Sequence, residues 1–314
     1  MSAPLVSILL LTRNGGETLP ETLGAVARQR ACFAYEVVAV DSGSTDNTLA
    51  LLERFARTVI RIPPESFNHG LTRNLAVEHA RGDLIVFLVQ DALPVSDDWL
   101  VRLTAPLRTH EDVAGAFCRQ QPRPDASALT KRHFNTWIAA SEMPRSIKLT
   151  AANELDRLDP AARLQTCAFD NVCSCIRRSV WQKIPFSETP IAEDVEWGRA
   201  ALLAGHRIDY VTDTAVLHSH ERSARYEFAR TYALHRQLLL MFGLRTIPTV
   251  MQLARAIFSS MHFHLACERQ AARAGDVRAG PKRALALAVA WPLGQYLGAL
   301  SASKGWKPMR VGGV

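Results

Sequence analysis

The stretch Gly82-Asp-Leu-Ile-Val-Phe-Leu-Val-Gln-Asp91-Ala-Leu-Pro-Val-Ser-Asp-Asp-Trp99 decides how the rest of the chain is read. Six apolar residues from Leu84 to Val89 are too few for a typical helix and read as a strand buried on both faces, as in a parallel sheet. Gln90 and Asp91 follow at once, and the Ala-Leu-Pro after them cannot extend a central strand. Ligands of open α/β sheets bind beyond the carboxyl ends of the strands. A carboxylate at that end is therefore a candidate for holding a metal ion or a polar ligand. A plainer reading stands beside it: Asp91 opens a turn, or belongs to the start of the helix near Asp98.

Working outward, the first 120 residues alternate strand-like and helix-like segments. Strands are expected over 6–11, 37–40, 59–62, 84–89 and 113–117, and helices over 18–28, 48–56, 71–80 and 99–109. Alternation with short loops argues for a parallel sheet with helices on its faces. Polar residues gather at the strand ends: Thr12-Arg13-Asn14-Gly15-Gly16 after the first, and Asp41-Ser-Gly-Ser-Thr-Asp46-Asn47-Thr48 after the second. Helix capping accounts for Ser44 to Asn47 but not for Asp41, whose carboxylate can accept hydrogen bonds from a nucleobase or ribose. No G-x-G-x-x-G follows the first strand and no G-x-x-x-x-G-K-[ST] occurs, so dinucleotide oxidoreductase and P-loop readings lose their main support.

Residues 120–165 read as irregular, with prolines at 122, 124, 144 and 160. Loops of that length commonly face substrate. Order returns at Phe169-Asp-Asn171-Val-Cys-Ser174, and then at Ala192-Glu193-Asp194-Val-Glu196-Trp197, a helix with acids in its first turn. Two strands are expected over 207–211 and 215–217, the second running into His218-Ser219-His220, and three tail helices over 226–242, 249–274 and 283–301.

The chain has 314 residues and a net charge of +7. From Arg222 onward fourteen Lys and Arg face three acids, a balance of +11 that leaves −4 for the first 221 residues. A mildly acidic body with a basic, apolar tail suggests a negative surface as neighbour, membrane phospholipid or nucleic acid. No apolar run approaches the roughly 20 residues that span a bilayer, and the longest in the tail, 284–294, contains Pro292. The expectation is a tail that lies on a membrane or packs on the body. The first residues read as a strand and not as a signal peptide. Six scattered cysteines, with Cys173 and Cys175 one residue apart, match neither a zinc finger nor a redox pair and suggest free thiols in a reducing compartment.

Seven pieces in order (6–14, 37–48, 67–76, 88–94, 169–181, 192–205 and 218–220) resemble the inverting family 2 glycosyltransferases, and among them the bacterial rhamnosyltransferase-like branch. The resemblance covers roughly 5–221 and implies a GT-A fold: a mostly parallel sheet flanked by helices, with a helical C-terminal tail. It implies a catalytic domain over 1–221, divided into a nucleotide-binding half (1–118) and an acceptor-side half (119–221), and a basic extension over 222–314.

The resemblance also implies roles. Thr12, Arg13, Asn14 and Asp41 would line base and ribose, with Arg73 nearby; Gln90 and Asp91 would also bind the nucleotide-sugar. Asp91 matches the second acid of the family's D-x-D motif and would hold Mg2+ or Mn2+, with His218 as a further ligand. The first acid of that motif is Val89 here. Asp194 would be the general base and Glu193 would position the acceptor, with Asn171, Ser174 and Trp197 on the acceptor side. The helix-start reading of the two acids remains beside this one.

The implied activity is inverting transfer of a sugar, L-rhamnose from dTDP-L-rhamnose as the leading choice, to a glycan or lipid-diphosphate-linked acceptor. That places the enzyme in the cytoplasm, peripheral at the inner face of an anionic membrane, in cell-surface polysaccharide synthesis. A UDP- or GDP-sugar donor is an alternative, and so is a non-catalytic glycan- or membrane-binding adaptor, to which Val89 lends support. The absence of a Q-x-x-R-W motif counts against a processive synthase. A nucleotidylyltransferase would need a Gly-rich loop that Thr12 to Gly16 does not supply. No reading helix or stacking motif supports nucleic-acid binding.

Overall fold

A computed structural model describes residues 5–309; the ends of the expected catalytic and tail regions, 1–4 and 310–314, lie outside the described residues. The chain divides into two compact units: one takes residues up to 121 with 138–157 and 166–218, the other 122–137, 158–165 and residues from 219 onward.

The first unit begins with strictly alternating elements: β1 (Val6–Thr12), α1 (Leu19–Ala27), β2 (Tyr35–Asp41), α2 (Thr48–Phe55), β3 (Thr58–Arg61), α3 (His69–His79) and β4 (Leu84–Val89). A short β5 (Leu93–Pro94), α4 (Trp99–Thr109) and β6 (Val113–Gln121) follow. The stretch expected to be irregular is broken by prolines into short pieces, α5 (Ala128–Phe134), β7 (Arg145–Lys148) and α6 (Pro160–Thr166), so its prolines limit element length without abolishing elements. Then come β8 (Cys173–Arg177), α7 (Arg178–Trp181), α8 (Glu193–Leu203) and β9 (Arg207–Leu217). The two strands expected at the end are one: β9 is continuous, and its register against β6 jumps from Cys118 opposite Val211 to Arg119 opposite Ala215, so the irregularity absorbs 212–214.

Among the described residues, all nine strands form one sheet in the order β3-β2-β1-β4-β8-β6-β9-β5, with β7 also paired to β9. β1 is parallel to β2 and β4, and β2 to β3. β8 runs antiparallel between β4 and β6, and β9 is parallel to β6. From Leu84 to Leu88 no residue of β4 is more than 2% exposed, as a central strand covered on both faces requires. Ile8 and Leu10 of β1, Val86 and Leu88 of β4, and Trp99 and Leu103 of α4 belong to one apolar core.

Register explains where the functional residues meet. Leu11 lies opposite both Val40 and Val89, so β1, β2 and β4 end level and Thr12 faces Asp41. Because β8 is reversed, its amino end lies at the same edge: Cys173 faces Leu88, and the Val89 N–H donates to the Val172 carbonyl. β9 ends beside Gln121, and β5 pairs Leu93 with Leu217, folding the segment after β4 back toward His218.

The second unit is helical, with α9 (Ala224–Phe242), α10 (Val250–Ala274) and α11 (Pro281–Ser303) as its long members. Ser223 and Thr249 cap α9 and α10 by accepting the N–H groups of Tyr226 and Gln252. α11 runs unbroken through Pro292 for 23 residues and is long and apolar enough to cross a membrane by length and composition, which corrects the expectation drawn from the interrupted apolar run. Half of that apolar window is buried within the structure. α11 meets α9 closely, since a Cβ on Gly298 would stand 2.3 Å from the Tyr232 carbonyl. The Tyr232 hydroxyl donates to Ser301 Oγ at 2.9 Å.

Candidate active site

The loops after β1, β2 and β4 are tied together by polar side chains. Asp41 is 1% exposed and accepts from the Thr12 hydroxyl (3.1 Å), the Ser44 N–H (2.9 Å) and the Ser44 hydroxyl. Asn14 has φ 47°, a left-handed conformation that asparagine tolerates. It accepts the Thr45 N–H at 2.8 Å while its own N–H donates to Ser44 Oγ. Gln90 brackets Arg13, accepting its N–H at 2.9 Å and donating to its carbonyl at 3.1 Å. This contact needs glycine at 15, where a Cβ would stand 2.7 Å from Gln90 Oε1. The amide of Gln90, expected to bind the nucleotide-sugar, shapes the loop after β1. The Arg13 side chain is exposed at the rim.

Asp91 and His218 face one another, Oδ1 3.7 Å from Nε2, with side chains 20% and 14% exposed. Asp91, His218 and His220 each offer one ligand atom, all within 4.8 Å of one another. One carboxylate oxygen and two imidazole nitrogens form a donor set that a divalent cation accepts, with room left for further oxygens. The residues fit such an ion. Behind His218 stands Gln120, 4% exposed, its Oε1 3.3 Å from His218 Nδ1. With Nδ1 protonated, that contact leaves the Nε2 lone pair on the side of Asp91.

The acids of α8 form the third part. Ala192, the residue before the helix, has φ 66° and supplies no side-chain cap. A non-glycine residue in this region costs roughly 1–3 kcal/mol and persists only where its surroundings impose it. They do so here: Glu193 pairs with Arg73 Nη1 at 2.6 Å, both nearly buried, and Asp194 accepts the Asn171 N–H at 3.3 Å. Arg73 also donates to the His69 carbonyl and lies 5.8 Å from the Phe87 ring centroid. It therefore stands with the α8 acids. Asp194 is half-buried, and its carboxyl is pushed up to about 8, first by loss of hydration and then by the charges of Glu193 and Asp170; Arg73 and the Val195 N–H oppose the rise. A carboxylate so placed takes up a proton readily near neutrality, as a general base requires.

Two residues expected on the acceptor side are core residues instead. Ser174 is fully buried on β8 and donates to Asn171 Oδ1. Trp197 is 2% exposed, donates to the Ile184 carbonyl and packs on Phe169, because position 197 of α8 turns toward the sheet. Asn171 differs: it is 1% exposed and its Nδ2 has no partner. Reading the sequence passed over Asp170, His220 and Gln120. The first two lie inside segments already singled out; Gln120 carries no local signal.

Residues 7–165 match Glycosyl transferase family 2. The chain is 31% identical over 234 residues to O-antigen chain rhamnosyltransferase RfbN of Salmonella typhimurium, covering 72% of this chain and 70% of that protein. Among solved structures, mannosyltransferase PcManGT of Pyrobaculum calidifontis, in complex with GDP-Man and Mn2+, superposes with a TM-score of 0.51 at 19% identity, covering 99% of this chain and 78% of that one. TarS 1-349 of S. aureus in complex with UDP-GlcNAc gives 0.51 at 19% identity, covering 96% and 92%. The strand-end loops, the carboxylate–imidazole cluster and the matched sequence converge: this chain is a glycosyltransferase of the GT-A fold and belongs to glycosyl transferase family 2, in its bacterial rhamnosyltransferase-like branch.

Proposed function

We propose that this enzyme transfers L-rhamnose from dTDP-L-rhamnose, with inversion, to a hydroxyl of a glycan or lipid-diphosphate-linked acceptor in cell-surface polysaccharide synthesis. The observation that carries the catalytic part is the half-buried Asp194, with its raised carboxyl, at the sheet edge that also holds Asp91 and His218. The rhamnosyltransferase relatives support the donor sugar.

Asp41, Thr12 and Asn14 shape the pocket for base and ribose, and Arg13 lies at its rim. Asp91, His218 and His220 would hold a divalent cation, whose Lewis acidity would stabilise the charge that develops on the departing diphosphate. The imidazoles stand in for the acid replaced by Val89, and a set with two nitrogens favours manganese over magnesium. Asp194 takes the acceptor hydroxyl's proton as that oxygen bonds to the anomeric carbon. The bond from that carbon to the diphosphate breaks on the opposite face, its electron pair leaving with the nucleoside diphosphate. With Asp194 acting as base on the acceptor hydroxyl, the site performs a single displacement and inverts the anomeric centre. Glu193, held by Arg73, fixes the start of α8, and Asn171 Nδ2 is the donor available to an acceptor hydroxyl. The enzyme works in the cytoplasm at the inner face of the membrane, where the lipid-linked acceptor and its basic tail meet.

A panel of sugar nucleotides tested with and without manganese decides the donor, and the anomeric configuration of the product by NMR decides the stereochemistry. Turnover of dTDP-rhamnose with inversion is expected. Turnover of a UDP- or GDP-sugar instead overturns the rhamnose assignment and keeps the mechanism. Failure of any nucleotide to bind by calorimetry overturns the catalytic reading in favour of an adaptor.

A further inference from the structure

The first half of α10 leaves apolar side chains in solvent along one helical face. Val250 and Met251 are each 67% exposed and Phe258 76%, and Ala254 between them is exposed as well. Separations of three, four, seven and eight residues bring these four to one side of the helix. Among the described residues of α10, none before His264 is buried; only from there on do His264, Cys267, Glu268 and Ala271 anchor it. The same region is free of acids. From Phe228 to Cys267 there are four arginines and neither aspartate nor glutamate, and Arg245 and Arg255 are exposed.

Charge and chemistry together select the partner. Pairing this face with its own copy around a twofold axis would bring Arg255 toward Arg255 with no acid in the segment to separate them. A nucleic acid offers phosphates but no apolar interior for Val250, Met251 and Phe258. An anionic bilayer offers both: a headgroup–acyl boundary for the apolar side chains and phosphates for the guanidinium groups. We propose that the amino-terminal half of α10 docks on an anionic lipid surface. Val250, Met251, Ala254 and Phe258 enter the boundary layer, and Arg245 and Arg255 lie among the lipid phosphates. This stands apart from the catalytic reading, because it concerns binding without turnover.

The test is co-flotation of the whole chain with vesicles of phosphatidylcholine alone or mixed with phosphatidylglycerol. Binding to the mixed vesicles is expected to exceed binding to neutral ones by about tenfold or more and to weaken as salt is raised. The pair Met251→Ser with Phe258→Ser loses about tenfold in vesicle binding with an unchanged circular dichroism spectrum and melting curve. The pair Arg245→Gln with Arg255→Gln loses the preference for anionic lipid and keeps the weaker apolar partitioning. Equal binding of wild type to both vesicle types overturns the proposal, as does a serine pair that floats as well as wild type. A dimer in sedimentation that the serine pair abolishes, without vesicle binding by wild type, assigns the face to self-association instead.

Discussion

Arg73 on α3 and Glu193 at the first position of α8 are 120 residues apart in the chain, yet their side chains meet at 2.6 Å with less than a tenth of either exposed. This pair holds α8 where its next residue, Asp194, reaches the carboxyl edge of the sheet. It also places a positive charge near a carboxyl that its other neighbours drive toward protonation.

Removing one member of this pair leaves a buried charge uncompensated, which typically costs about 3–5 kcal/mol. Arg73→Gln is expected to lower the unfolding free energy by about that much in denaturant titration. The double variant with Glu193→Gln recovers part of the loss. Arg73→Gln also moves the acid limb of the kcat/KM profile to higher pH, because the charge opposing the rise of Asp194 is gone.

Asp194→Asn is expected to lower kcat by about 10²- to 10⁴-fold while donor binding by calorimetry stays unchanged. Its effect on stability has the opposite sign. The Asp194 carboxyl rises from 3.8 to about 8 on folding, so the native state holds its proton over that interval and ionisation weakens the fold as pH climbs through it. The variant should melt higher than wild type at pH 8, with the difference vanishing toward pH 4. For wild type, kcat/KM is expected to rise with pH up to about 8 as the base becomes free.

Gln120 stands behind His218 as Asp91 stands before it. Asp91→Ala is expected to abolish Mn2+ binding measured by electron paramagnetic resonance. Gln120→Leu, which frees His218 to turn or change tautomer, weakens it by about 10- to 100-fold. EDTA should stop transfer and manganese restore it. Unchanged Mn2+ affinity in Asp91→Ala would remove this cluster as the metal site.

Gln90→Ala and Gly15→Ala attack the same contact from its two sides, since a Cβ at 15 displaces the amide that brackets Arg13. Both should raise the donor KM by about two- to tenfold, the worth of a hydrogen bond or two, with kcat little changed. Steady-state kinetics separates this from loss of the base, which moves kcat.

Much of the architecture follows from local chemistry. The run Leu84 to Val89 has nowhere to go but a buried strand, and the alternation before it leaves the carboxyl ends of β1, β2 and β4 level, bringing Thr12, Asp41 and Asp91 to one edge. The tail helices, too, were legible in the sequence, over 226–242, 249–274 and 283–301. Tertiary structure alone decided what those residues do for one another. Gln90 closes on the Arg13 backbone, Ser174 and Trp197 turn into the core, Asp170 presses on Asp194, and Ala192 is held left-handed. The physical reason is range. Strand and helix patterns are written in neighbours two to four residues apart, whereas burial and the charge felt by Asp194 depend on groups such as Arg73 that only the folded sheet brings within reach.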